Sequence, residues 1–314
     1  MTKCGFAAII GRPSAGKSTL LNKMCGEKVA IVGRTPQTTR SAVRGIVNRS
    51  EEGQLIFIDT PGRCSSEKKM NKKLLEVSNR ALADCDLALY VIDASRAPGQ
   101  EEEETASLLA KGYAAGVPLS EKTIAAVNKM DAPAADFNRA KEFLTARINF
   151  PKADEESLAK RIFAISAKTG QGVDDLLDAL FALAPQGPPQ YDGGCYTDQD
   201  AEFRITEIIR EQAVNRLHQE LPHSLYVDIA DMEFKEEGGQ NPRLWVRAFI
   251  IVERESQKGM VVGKGGEMIK AIRLAALKNL KNIFDWKIDL DLRVKAVKDW
   301  RRNDRTLKRI IERT

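Results

Sequence analysis

The apolar positions of the first 184 residues fall into short unbroken runs: FAAII (6–10), LIFI (55–58), LALYVI (87–92), TIAAV (123–127) and RIFAI (161–165). Stretches of helical period separate them. Runs without polar alternation are what strands covered on both faces leave in a sequence, so the pattern predicts βαβ units and a doubly wound, mostly parallel α/β sheet. The last helix of this half is predicted at GVDDLLDALFALA (172–184), with Val173, Leu176, Leu177, Leu180 and Leu183 on its apolar stripe. Asp174 and Asp175 sit at its start, where the helix dipole favours negative charge. The pattern stops at PQGPPQYDGG (185–194), a Pro- and Gly-rich linker.

Beyond the linker, Ile205, Ile208, Ile209, Ala213 and Leu217 form one helical stripe. SLYVDIADMEF (224–234) and RLWVRAFIIVER (243–254) are strand-like, and the turn-rich KEEGGQNP (235–242) between them suits an antiparallel hairpin. A further strand-like run leads into GKGG (263–266). The helix predicted after it places Ile269, Ile272, Ala276, Leu280 and Ile283 inward, with Lys270, Arg273, Lys278 and Lys281 largely outward. WKIDLDLRVKAV (286–297) then alternates strictly, as a half-buried strand does. The expected division is a domain over 1–184, a linker over 185–203 and a smaller α+β domain over 204–314. The acidic run QEEEE (100–104) is expected to be the solvated start of a helix.

Composition adds limits. With 43% hydrophobic and 30% charged residues over 314 positions, the chain has the balance of a globular protein able to bury two cores. No apolar run approaches the roughly 20 residues that span a bilayer. The opening MTKCGFAAIIG lacks the pattern of a secretory signal, so a cytosolic protein is expected. Five scattered cysteines without a C-x-x-C pair predict reduced thiols, and the lone histidines His218 and His223 predict structural roles. The net charge of +5 is unevenly placed: residues 258–314 carry 16 Lys and Arg against 7 Asp and Glu, or +9, which leaves −4 for the rest. That asymmetry points to a polyanionic partner for the C-terminal region.

The candidate chemistry begins at GRPSAGKST (11–19), which matches G-x-x-x-x-G-K-[ST] between an apolar run and a helical one. Across Gly11, Arg12, Pro13, Ser14, Ala15 and Gly16 the glycines let successive backbone N–H groups turn toward a phosphate, Pro13 having none to offer. Lys17 neutralises its β/γ oxygens, Ser18 can ligate Mg²⁺, and Thr19 continues into the helix. The base is read further on, at strand ends where ligands sit in such sheets. In NKMD, the Asp131 carboxylate can accept from both N1–H and N2–H₂ of guanine, a donor pair that adenine lacks; Asn128 and Lys129 precede it. In SAK, Ser166, Ala167 and Lys168 follow another strand and can set a backbone N–H against the guanine carbonyl. Asp59 ends the run LIFIDTPG, placed to hold Mg²⁺ through water, with Gly62 free to turn its N–H toward a γ-phosphate. Within TPQTTR, Thr39, or its neighbour Thr38, would complete the metal shell while the γ-phosphate is present, which makes 33–44 a switch segment. The implied ligands are GTP or GDP with Mg²⁺. An ATP-dependent small-molecule kinase on the same first loop is disfavoured by NKMD.

The second glycine loop, Gly263, Lys264, Gly265 and Gly266, lacks the following G-K-[ST] and so is not a second nucleotide loop. G-x-x-G before a helix is the device by which KH domains clamp about four nucleotides of single strand. On that reading Ile269 lies in the base groove, and Lys270 and Arg273 steer the backbone.

GRPSAGKST, PQTTR, DTPG, NKMD and SAK, together with VERESQKGMVVGKGGEMIK and LRVKAVKDWRRN, resemble the bacterial Era family along essentially the whole chain. The resemblance implies a P-loop GTPase domain followed by a type II KH domain. It also implies catalytic parts carried by Lys17, Thr39 and Gly62, and a monomer that assists small-ribosomal-subunit assembly by binding single-stranded rRNA near its 3′ end. Two positions depart from the family pattern. Ser14 stands where an Asn helps hold K⁺ in related enzymes, which puts a K⁺ requirement in question; Arg63 stands where an apolar residue is usual. No Gln follows Gly62, so slow intrinsic hydrolysis is expected. The alternative is a signalling or membrane-associated GTPase whose basic C-terminal domain touches protein or the anionic inner face of the cell membrane.

Overall fold

The computed structural model of the chain describes residues 2–33, 35, 38–63, 69–151, 154–218, 221–235 and 243–311. Parts of the switch segment (34, 36, 37), Cys64, the side chain of His223 and most of the hairpin turn (236–242) lie outside the described residues. The chain forms two compact units: residues 1–30 with 39–198, and residues 31–38 with 199–314.

The first unit opens with β1 (Lys3–Ile10), α1 (Lys17–Cys25), β2 (Val43–Arg49) and β3 (Gly53–Asp59). It continues through α2 (Lys69–Ala83), β4 (Leu87–Asp93) and α3 (Gln100–Lys111) to a small ribbon of β5 (Tyr113–Ala114) and β6 (Val117–Pro118). The remaining elements are α4 (Leu119–Lys122), β7 (Thr123–Asn128), α5 (Phe137–Arg147), α6 (Glu155–Ala159), β8 (Ile162–Ala164) and α7 (Val173–Leu183). The six-stranded sheet runs β2-β3-β1-β4-β7-β8, parallel except for β2, which is antiparallel to β3. Every residue of β4 and β7 is buried, which is why those runs show no polar alternation. One detail of the α7 stripe is corrected: Phe181 is buried (1% exposed), while Leu183, the last residue of the helix, faces outward (37%) although the period places it near Leu176.

The second unit holds α8 (Ala201–Arg216), β9 (Tyr226–Lys235), β10 (Arg243–Val252), α9 (Glu255–Val262), α10 (Glu267–Leu280), β11 (Lys287–Ala296) and α11 (Asp304–Ile311). β9 and β10 pair antiparallel as expected, and β11 joins β10 in parallel, giving a mixed sheet β11-β10-β9. Ile205, Ile208, Ile209 and Ala213 of α8 enter one core with Val246, Ile250, Ile272 and Leu290. Burying each isoleucine is worth about 2 kcal/mol. The chain before the second glycine loop is corrected from strand-like to helix. The Gln257 carboxamide accepts from the N–H groups of Glu253 (3.0 Å) and Arg254 (2.9 Å), capping α9, and of its residues only Val261 is buried. Near the C-terminus Trp300 is buried (1%), donates from Nε1 to the Ser224 carbonyl at 3.2 Å and meets Tyr226 edge-on at 4.7 Å. It anchors the segment ahead of the basic α11.

Residues 31–38 belong to this second unit through α8. The Val32 N–H donates to Glu211 (2.9 Å), Asn215 donates to the Val32 carbonyl (3.1 Å), and Arg210 donates to the Thr38 carbonyl (2.6 Å). Cys4, Cys25, Cys85 and Cys195 are free thiols. Among the described residues no helix is long and apolar enough to cross a membrane.

Candidate functional site

The C-terminal ends of the parallel strands converge on one edge of the sheet. β1 delivers Gly11, β3 ends at Asp59, register-paired with Ile9, and β7 ends at Asn128, paired with Asp93 at the end of β4. The first glycine loop wraps into α1 with Gly16 at φ 100°, where a Cβ would lie 2.3 Å from the Asn128 amide nitrogen. Only glycine fits that turn. Ser14 adopts φ 62° and is exposed, a conformation asparagine holds more easily than serine.

Lys17 is buried at 6% exposure, and its Nζ donates to the carbonyls of Gly11 (3.0 Å) and Arg12 (2.9 Å). Burial pulls its pKa down to about 8, against the pull of Asp59. Ser18 Oγ donates to Asp59 Oδ2 at 2.6 Å and lies 2.9 Å from Thr39 Oγ1, which itself lies 3.4 Å from the same carboxylate oxygen. Thr38 points elsewhere: its hydroxyl donates to the Thr35 carbonyl at 2.7 Å. The geometry therefore brings Thr39 and not Thr38 to the other two candidate metal ligands. Asp59 Oδ1 is buried without a partner, and burial pushes the carboxyl above its ordinary range despite Lys17, Ser18 and Thr39. Three hard oxygen donors and one orphaned carboxylate oxygen fit Mg²⁺.

The base-reading motifs interlock. Asn128 donates to the Ala15 carbonyl (2.9 Å) and accepts from the Ala167 N–H (2.9 Å), joining the phosphate loop to SAK. Ser166 donates to Asp131 at 2.7 Å, a bond that holds that carboxyl below its usual range, and Lys168 lies 3.6 Å from its other oxygen. Gly62 packs on Pro13, where a Cβ would come within 2.5 Å of the Pro13 Cα. Arg63 donates from its backbone to the Gly11 carbonyl and from its side chain to Asn79 at 2.7 Å.

Two residues of this edge escaped sequence reasoning. Asp93 accepts from Arg12 (2.6 Å) and Lys129 (2.7 Å). Its only sequence signal was an acid ending an apolar run. Glu102 corrects the expectation of a solvated QEEEE run: it is 3% exposed, 2.6 Å from Arg12 Nε, and accepts from the Gly99 N–H.

In the second unit, Gly265 (φ 60°) and Gly266 (φ 82°) turn the chain between α9 and α10, and a Cβ on either would meet nothing within 4 Å. Gly263 (φ 75°) closes the other end of the turn. Lys264 and Lys270 are exposed, Ile269 is partly buried against the core, and Arg273 is half-buried with Nε donating to the Leu290 carbonyl at 2.6 Å. Met260 and Leu274, on the helices flanking the loop, expose large apolar side chains (56% and 52%). Sequence reasoning passed them over because Met260 fell in a run read as a strand and Leu274 fell between the inward stripe and the basic face of its helix.

Residues 6–129 match the model of the 50S ribosome-binding GTPase family, and residues 220–301 match that of the KH domain. Over 306 residues the chain is 47% identical to the GTPase Era of Treponema denticola, covering 98% of both chains. The chain belongs to the GTPase Era family. It is a GTPase with a C-terminal KH domain, the architecture expected from its motifs. The Era of Treponema pallidum is 43% identical over 321 residues, covering 98% of this chain and 97% of the other. Two solved Era structures are similar over nearly their whole lengths. A variant of Aquifex aeolicus Era bound to GDP·AlF₄⁻ has 29% identity and a TM-score of 0.86, covering 98% of this chain and 99% of that one. An Era in complex with MgGDPNP and nucleotides 1506–1542 of 16S ribosomal RNA has 30% identity and a TM-score of 0.87, covering 99% of each.

Proposed function

We propose that this GTPase binds the 3′ region of small-subunit rRNA through its second glycine loop and assists small-subunit assembly, with the bound nucleotide governing that engagement. The observation that carries the reading is an oxygen cluster suited to Mg²⁺ in one unit and a bare, positively flanked G-x-x-G turn in the other. The full-length likeness to an Era solved with that RNA supports it. In this reading residues 1–184 bind GTP, 185–203 link, and 204–314 bind RNA.

Within the first domain, Lys17 meets the β/γ oxygens, Ser18, Thr39 and Asp59 hold Mg²⁺, and Gly62 turns its N–H to the γ-phosphate. Asn128 and Asp131 select guanine, with Lys129 and the 166–168 segment around it. Mg²⁺ bound there would neutralise charge developing on the phosphate oxygens. Ser14 lacks the amide that would share a K⁺ ion, so hydrolysis is expected to proceed alike in Na⁺ and K⁺. In the second domain the N-terminus of α10 and Lys264 face phosphates, while Ile269 borders the bases and Lys270 and Arg273 steer the backbone. The protein acts as a cytosolic monomer.

The test is binding of a single-stranded RNA carrying the rRNA 3′-end sequence, with GTP analogue and with GDP, at two salt concentrations. Sequence-selective binding favoured by the GTP state supports the reading. Equal affinity in both nucleotide states removes the coupling, because a ligand without preference between states shifts nothing. Weak binding that merely fades with salt, alongside binding to anionic vesicles, would move the partner to the membrane surface.

A further inference from the structure

Beyond the bonds made by Asn128, the phosphate loop and the base loop share a second link that no motif describes. Asp93, 4% exposed, ends the central strand β4. Its Oδ2 accepts from Arg12 Nη2 at 2.6 Å and from Lys129 Nζ at 2.7 Å, and its Oδ1 accepts from the N–H (2.9 Å) and hydroxyl (2.5 Å) of Ser95. Burial would push this carboxyl up, but the bonds from Lys129 and Ser95 outweigh it and hold the group below its ordinary value. Arg12, 3% exposed in the second position of the phosphate loop, has Glu102 as its other anion. Lys129 holds a left-handed backbone at φ 68°, unfavourable for a long side chain unless something fixes it. With its amino group pinned, a side chain of four rotatable bonds has one position.

We propose that Asp93 is a positioning residue for nucleotide: its carboxylate ties the phosphate loop, through Arg12, to the base loop, through Lys129, so that each loop holds its binding geometry only while the other does. The proposal rests on the assignment of residues 11–19 and 128–131 to nucleotide. Asp93 spends its oxygens on Arg12, Lys129 and Ser95, so its effect passes through the two cations. Without its charge, Arg12 and Lys129 lose their common anion and only Glu102 remains to Arg12.

The experiment compares GDP and IDP affinity, and steady-state GTP hydrolysis, in the full chain and in Asp93→Asn. IDP lacks the 2-amino group that a correctly placed Asp131 would read. The expected result is a rise of about tenfold or more in the GDP dissociation constant and in KM, at least a threefold narrowing of the GDP-over-IDP preference, and kcat at saturating GTP within about threefold. Ser95→Ala, which removes one hydroxyl from the carboxylate and leaves the ion pairs, should shift the same quantities the same way by about two- to threefold. It supplies the test should Asp93→Asn fail to fold. Unchanged GDP affinity in the variants, an equal loss for GDP and IDP, or a fall in kcat at constant KM would each overturn the proposal, the second of these marking Asp93 as merely structural. Wild-type protein without preference for GDP over IDP would instead overturn the base-loop assignment on which the proposal stands.

Discussion

In the loop at residues 11–18 a Cβ added to Gly16 would collide with Asn128 at 2.3 Å, and Lys17 is 94% covered; at residues 263–266 a Cβ on Gly265 or Gly266 would meet open space. The same residue type thus serves two opposed purposes. In the first loop glycine lets other protein groups close in around a ligand whose shape is fixed in advance. In the second it keeps the backbone low and the space above it clear, so that a partner of larger size can come down onto a helix N-terminus. A closed cradle fits a small, highly charged ligand, and an open turn fits a polymer that must be laid along a surface.

The contrast breaks most visibly at Gly16. Replacement with alanine drives a methyl group into the Asn128 amide and displaces its bonds to Ala15 and Ala167, so calorimetric GDP affinity should fall by more than about 100-fold, with an unfolding free energy lower by ~2 kcal/mol. Next in size is the threonine pair. Thr39→Ala should reduce single-turnover GTP hydrolysis by about 100-fold and raise the Mg²⁺ concentration needed for half-maximal rate, while Thr38→Ala, whose lost hydroxyl donates to the Thr35 carbonyl, should stay within about threefold. At the open loop, Gly265→Asp should cost only ~1 kcal/mol in denaturant unfolding, since aspartate tolerates a left-handed backbone, yet lower RNA affinity by at least about 30-fold by placing a carboxylate where phosphates come down. Equal damage to folding at both glycines would erase the distinction between cradle and platform. The smallest effect is on acid stability. Asp93 has its folded pKa held below the ordinary 3.8, so its contribution is present above that pH and is lost as pH falls through 3.8 toward the folded value. The melting-temperature gap between wild type and Asp93→Asn should accordingly close on acidification below about pH 4.

Much of this was legible beforehand because it is written in local order. Unbroken apolar runs announced the buried parallel strands, the stripe from Ile205 to Leu217 announced α8, and strict alternation announced β11. The ordered motifs located the nucleotide edge because each occupies a strand end. What stayed hidden depends on partners far apart in the chain. Four consecutive glutamates look alike until the capping geometry of α3 turns Glu102 toward Arg12, 90 residues away. Spacing could not choose between Thr38 and Thr39, since the choice is made by the partners of their hydroxyls, Thr35 for one and Ser18 with Asp59 for the other. The apolar run before the second loop looked like a strand because its helix is capped by a single glutamine rather than by a strong start signal.

Residues 31–38 lie in the sequence of the first unit and pack in the second, held by Arg210, Glu211 and Asn215. The two halves are therefore not interchangeable cassettes. A chimaera that joined this N-terminal half to a relative's C-terminal half would carry residues 31–38 away from the α8 that receives them, and recombination at the linker would be penalised although it cuts no strand or helix. Inheritance should keep that short segment and the middle of α8 together, as one heritable part encoded in two places.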